Sequence, residues 1–246
     1  MKRLGVAFGC LTILPFGPRG HVQPADLGGS LAWFPLVGLL IGAVLTGTNI
    51  LASPLFPPLV VGACILCVWV IMTGALHLDG VGDVADGLYG GRTREARLRI
   101  MKDPHIGAIG VVAVAVLLIL KFALVSSLPS ATMNRALLLT PCLGRYMMVL
   151  LGATLPYART GEGTAAAFVR YATPRALMGA TAVAVPAAGL ILGARGFALF
   201  AVALVGSLIL RRIFLRTLGG ITGDALGAAG EVSEVLMLFV AALTTG

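Results

Sequence analysis

Seven long apolar runs, at 31–52, 57–76, 106–127, 133–155, 175–194, 197–217 and 225–244, alternate with short breaks that carry Gly, Pro or charge. Each is close to the ~20 residues with which a helix crosses a hydrocarbon core. Inside lipid every backbone N–H and C=O has to be satisfied by the chain, which excludes open sheets. The pattern predicts an all-α polytopic transmembrane helix bundle of about seven spans, forming one integral-membrane domain over 1–246. Ahead of it, MKRLGVAFGCLTILPFG has the basic start and apolar body of a signal peptide. No small-residue cleavage site precedes Pro15 and Pro18, so a retained interfacial or re-entrant segment is expected.

Composition agrees with the pattern. Of 246 residues 58% are hydrophobic and 11% charged, with a mean hydropathy of +1.00, against about 25% charged in soluble domains. Cationic connections alternate with uncharged ones. Lys2, Arg3 and Arg19 precede the first span; Arg92, Arg94, Arg97, Arg99 and Lys102 lie between the second and third; Arg159 and Arg170 lie between the fourth and fifth. Arg211, Arg212 and Arg216 end the sixth, whereas 53–56 and 128–132 carry no charge. The positive-inside rule then predicts a cytoplasmic N-terminus and an external C-terminus. The net charge of +8 is thus topological, and no soluble basic domain is left to bind nucleic acid. Cys10, Cys64, Cys67 and Cys142 all lie in apolar stretches and read as small buried hydrophobes, not as a zinc site. Neither a Walker A pattern nor GxGxxG occurs.

The acids are distributed unevenly. Six of ten fall in two clusters: Asp79, Asp83 and Asp86 in HLDGVGDVADGL, and Asp224, Glu231 and Glu234 in TGDALGAAGEVSEVLML. On a helix of ~3.6 residues per turn, spacings of four and seven return to one face. Each cluster is therefore one acidic stripe at or near a cytoplasmic span end. An intramembrane acid costs roughly 2.5–3.5 kcal/mol even on lenient scales. Protonation, arginine partners or a divalent ion must neutralise it, and hard oxygen ligands suit Mg²⁺, with Mn²⁺ as the alternative.

All six carboxylates are candidate metal ligands, and Asp83, Asp86 and Glu231 are candidate catalytic groups. The plainer accounts are a solvated loop for the first stripe and a glutamate–arginine pairing inside the bundle for the second. The basic RTREARLRIMKD stretch reads either as an anionic-lipid anchor or as a phosphate clamp. Candidate phosphate or substrate ligands are Arg92, Arg97, Lys102, Asp103, Arg216, the mid-span Arg145 and His77. For His77 a helix-end polar role is the plainer account.

These motifs resemble the cobalamin synthase family, the adenosylcobinamide-GDP ribazoletransferases. The family pattern is matched by TGALHLDGVGDVADGL (73–88), RLRIMKDPHIGAIG (97–110) and GGITGDALGAAGEVSE (219–234), and by LTILP (11–15), LGRYM (143–147) and PYAR (156–159). Arg99 stands where the family often has Glu. The resemblance implies a membrane-bound, Mg²⁺-dependent transferase of the bacterial inner membrane whose site faces the cytoplasm. It would join adenosylcobinamide-GDP to α-ribazole or its 5′-phosphate and release GMP; a homo-oligomer is left open. Two rivals share the acids: a CDP-alcohol phosphotransferase, whose DGxxAR…G…D…D pattern is absent, and a cation-coupled transporter, which would place its site near the midplane.

Overall fold

The computed structural model describes residues 2–18, 20–161 and 163–243. Arg19, Glu162 and the C-terminal Gly246 lie outside the described residues. Helix α1 (Lys2–Leu11) is followed by α2 (Pro24–Ser30) and a 3-10 turn (Leu31–Trp33) that runs into α3 (Phe34–Ala52). Then come α4 (Pro58–Thr73), α5 (Leu76–Gly90), the short α6 (Arg94–Ile100) and α7 (Ala108–Ser127). The chain continues through α8 (Ser130–Thr154), the short α9 (Thr164–Arg170), α10 (Pro174–Leu192), α11 (Ala194–Thr217) and α12 (Gly223–Leu243).

The bundle is the one the apolar runs predict. Among the described residues six helical segments are long and apolar enough to span alone, and α4 with α5 supplies a seventh if that bent pair is one span. Helix α1, at ten residues, rises only ~15 Å and is too short to cross. Helix α8 runs through the centre: Leu137, Leu139, Leu143 and Met147 are fully buried, with α3 and α12 packed along it. Helices α7 and α11 instead expose Val112, Ile119, Val205 and Leu208. In lipid such faces carry no penalty, because hydrocarbon tails are as apolar as the side chains.

The apolar pattern does not foretell the turn that positions the first acid stripe. Helix α4 ends in a Schellman motif: Gly74 N–H donates to Ile71 O at 3.0 Å and Ala75 N–H to Val70 O at 3.1 Å. Gly74 (φ 59°) and Ala75 (φ 56°) are both left-handed, and the pair turns α5 by 87° from α4. The acid stripe consequently runs across α12 instead of prolonging α4. At the crossing the backbones nearly touch. A Cβ on Gly80 would lie 2.5 Å from the Asp224 carbonyl oxygen, and one on Gly227 3.1 Å from the His77 Cα. This explains glycine in helix interiors, where each costs ~1 kcal/mol. Gly80→Val is expected to push α5 off α12, destabilising the protein by ~1–3 kcal/mol and abolishing activity; thermal unfolding in detergent and turnover check it.

Candidate active site

The crossing of α5 and α12 brings Asp79 and Asp83 of one helix to Asp224 of the other. Half-buried Asp83 feels the negative charge of Asp224, Asp79 and Asp86, opposed by the positive charge of Arg159. Local sequence explains the placement of Asp224. Thr222 Oγ1 accepts from Ala225 N–H at 3.1 Å, capping α12, and Asp224 occupies the first turn, where the helix dipole favours negative charge. A two-bond bridge then fixes its partner. Ala158 N–H donates to Ile221 O and Ile221 N–H to Pro156 O, each at 2.9 Å. This clamps PYAR against GGITGD, so that Arg159 Nη2 reaches Asp224 Oδ2 at 2.7 Å and Met101 O at 2.9 Å. The Arg159 Nε is buried and unpartnered among the described residues.

The two partners of that ion pair line different concavities, Asp224 one and Arg159 the other. One, of about 410 Å³, is lined by Asp79, Asp224 and His77 together with apolar Leu11, Leu31, Phe34, Met148 and Phe168. Phe34 and Phe168 stand edge to face with ring centres 5.6 Å apart. The other, of about 490 Å³, is a basic groove lined by Arg94, Arg99, Lys102 and Arg159, with Glu95 its only acid among the lining residues. Arg94 is steadied there by its bond to Ala158 O at 3.0 Å.

Not every candidate joins this site. Asp86 turns toward α7: its Oδ2 accepts from Gly107 N–H at 2.7 Å and its Oδ1 from Gly110 N–H at 2.8 Å. Glu231 and Glu234 lie about two and three turns deeper on α12 than Asp224, where Lys121 Nζ donates to Glu231 Oε2 at 2.7 Å and to Glu234 Oε2. Arg145 Nη1 also donates to Glu234, and its Nη2 lies 3.4 Å from His77 Nδ1. Lys121 sits 4.0 Å above the Trp69 ring. Two cations and two carboxylates, all buried, make a charge-balanced network. Of the six candidate metal ligands, Glu231 and Glu234 are thus matched by protein cations, as unpaired charge in lipid requires.

The sequence reading passed over Lys121, though a lone lysine in LLILKFALV was signal enough. It also left Arg159 without a role in the site. Among the expected phosphate ligands, Lys102 lines the basic groove, whereas Arg97 donates to Gly91 O at 3.0 Å and Thr217 O at 3.2 Å, tying the end of α5 to the end of α11. Arg92 is exposed and not among the groove's lining residues. Arg216 lines a separate concavity with Arg211 and Arg212. Asp103 is an exposed turn residue whose carboxylate accepts the His105 backbone N–H at 3.0 Å and meets its ring at 2.8 Å. Those two bonds hold the Asp103 carboxyl below the usual carboxylate range.

A helical multi-pass membrane protein with a carboxylate cluster between an apolar cavity and a basic groove is equipped for transfer chemistry on a phosphorylated substrate. The family described as cobalamin-5-phosphate synthase matches residues 3–242, and this chain belongs to it. A protein of Ectopseudomonas mendocina named adenosylcobinamide-GDP ribazoletransferase is 42% identical over 97% of this chain and 98% of its own. Proteins of the same name from Stutzerimonas stutzeri (40%, all of both chains) and Acetivibrio thermocellus (35%, 98% of this chain and 97% of its own) are similar along their whole length. No solved structure matches the chain.

Proposed function

We propose that this transferase of cobalamin biosynthesis joins adenosylcobinamide-GDP to α-ribazole, or to its 5′-phosphate, at the Asp79–Asp83–Asp224 cluster, assisted by Mg²⁺. The observation that carries the site is the α5–α12 crossing, which sets these carboxylates against the Arg159-lined groove. Their chemistry fits a hard cation. Among the described residues no three His, Cys, Asp or Glu side chains form a ready-made cage, and Mg²⁺ is usually held by one or two carboxylates plus substrate phosphates and water. Bound by one carboxylate of α5 and by Asp224 of α12, the ion would neutralise charge on the pyrophosphate.

The remaining work falls to the chain. A ribazole hydroxyl attacks the corrinoid-side phosphorus; a P–O bond to that phosphorus forms and the bridging P–O bond breaks. GMP leaves with the bond electrons, and an aspartate of the cluster, Asp83 or Asp79, accepts the hydroxyl proton. Arg159 and Lys102 bind phosphoryl oxygens, and the glycines of the crossing keep Asp224 close to α5. The cationic 92–102 segment and the positive-inside rule support a cytoplasm-facing site in the bacterial inner membrane, where nucleotide substrates are made. Purified protein given adenosylcobinamide-GDP and α-ribazole should release GMP with Mg²⁺ and none after chelation. No GMP release in the presence of Mg²⁺ would overturn the proposal, and equal release in chelator would overturn its metal.

A further inference from the structure

Resting on that reading, we propose that the two concavities divide the substrates: the aromatic end of α-ribazole enters the apolar cavity, and the guanylyl diphosphate of the donor lies in the basic groove. The partition follows from size, polarity and charge. A cavity of about 410 Å³ is at the small-ligand end of the ~300–1,000 Å³ range for binding pockets. It suits a bicyclic base on a ribose, and a corrin ring with its peripheral amides is far too large for it. Its walls are Leu31, Phe34, Met148 and Phe168, and its polar rim is Asp79 and Asp224.

An edge-to-face phenylalanine pair offers a flat heteroaromatic ring the geometry aromatic groups prefer. Carboxylates accept hydrogen bonds from sugar hydroxyls but repel phosphate. With the base inward, the ribose lies at the carboxylate rim, where the attacking hydroxyl must lose its proton. No Lys or Arg is among the cavity's lining residues, so it is a poor host for a pyrophosphate.

The groove has the opposite chemistry. Arg94, Arg99, Lys102 and Arg159 face one acid, Glu95, which favours a polyanion. Arg159 belongs to both halves: it holds Asp224 through Nη2 while its buried Nε has no partner among the described residues. A phosphoryl oxygen would satisfy that nitrogen. The phosphorus under attack thus lies at the Asp224–Arg159 boundary, between acceptor and leaving group.

Crossed steady-state kinetics test the partition. Ala165→Phe narrows the apolar cavity from its partly exposed wall, and Lys102→Ala removes a groove cation. Ala165→Phe is expected to raise KM for α-ribazole about tenfold or more and leave KM for adenosylcobinamide-GDP within about twofold; Lys102→Ala should do the reverse. A second measurement needs no turnover: α-ribazole binding to the wild-type protein should be competed by 5,6-dimethylbenzimidazole and not by GMP. An inverted or uncrossed KM pattern, or displacement of α-ribazole by GMP, overturns the partition. A wild type that releases no GMP overturns the proposed transfer instead, and the binding measurement still decides the partition.

Discussion

Asp83→Asn is expected to lower kcat by about a thousandfold, with the folded protein still in the membrane. The side chain keeps its shape and loses its charge. Both roles proposed for it, ligand to a cation and proton acceptor, need that charge; general-base catalysis alone contributes ~10²–10⁴-fold. Stability should not fall with activity. Asp83 is half-buried beside Asp79, Asp86 and Asp224, so neutralising it relieves repulsion among like charges. The melting temperature in metal-free detergent should therefore be equal to or above that of the wild type. Near-normal turnover at saturating Mg²⁺ would remove Asp83 from the site.

Lys121→Met is expected to act in the opposite way, through stability. It leaves Glu231 and Glu234 buried with Arg145 as their remaining strong cation, and breaking a buried ion pair from one side costs about 3–5 kcal/mol. Adding Glu231→Gln restores charge parity and should recover part of the loss, which unfolding of both variants in detergent would show. In Glu231→Gln alone, loss of activity should follow loss of folded protein, unlike Asp83→Asn. A Lys121→Met protein as stable as the wild type would show that the network does not hold α12 against α7 and α8.

What was legible in the sequence follows from short-range periodicity. Apolar runs revealed the spans, because lipid demands that a helix be apolar for its whole crossing. The four- and seven-residue spacings placed Asp79, Asp83 and Asp86 on one face, and α5 is indeed helical over Leu76–Gly90. The left-handed pair Gly74–Ala75 was not legible: glycine permits that conformation without requiring it, and alanine ordinarily avoids it. Nor was the joining of Arg159 to Asp224, which spans 65 residues and depends on the Tyr157–Ile221 bridge. The second stripe misled because spacing reveals a shared face but not depth. Asp224 is at the helix end beside α5, whereas Glu231 and Glu234 are buried where Lys121 and Arg145 meet them. Arg97 shows the same limit for cations: in a basic run it reads as a phosphate ligand, yet its guanidinium is spent on carbonyl oxygens.

In the proposed site, carboxylates from α5 and α12 hold one divalent ion between them. Mn²⁺ binding followed by electron paramagnetic resonance tests this most directly, with purified wild-type, Asp83→Asn and Asp224→Asn proteins compared in the presence of adenosylcobinamide-GDP. The expected result is saturable binding in the wild type that weakens by about tenfold or more in each variant, although the variants lie on different helices. Binding as tight in both variants as in the wild type would contradict the claim.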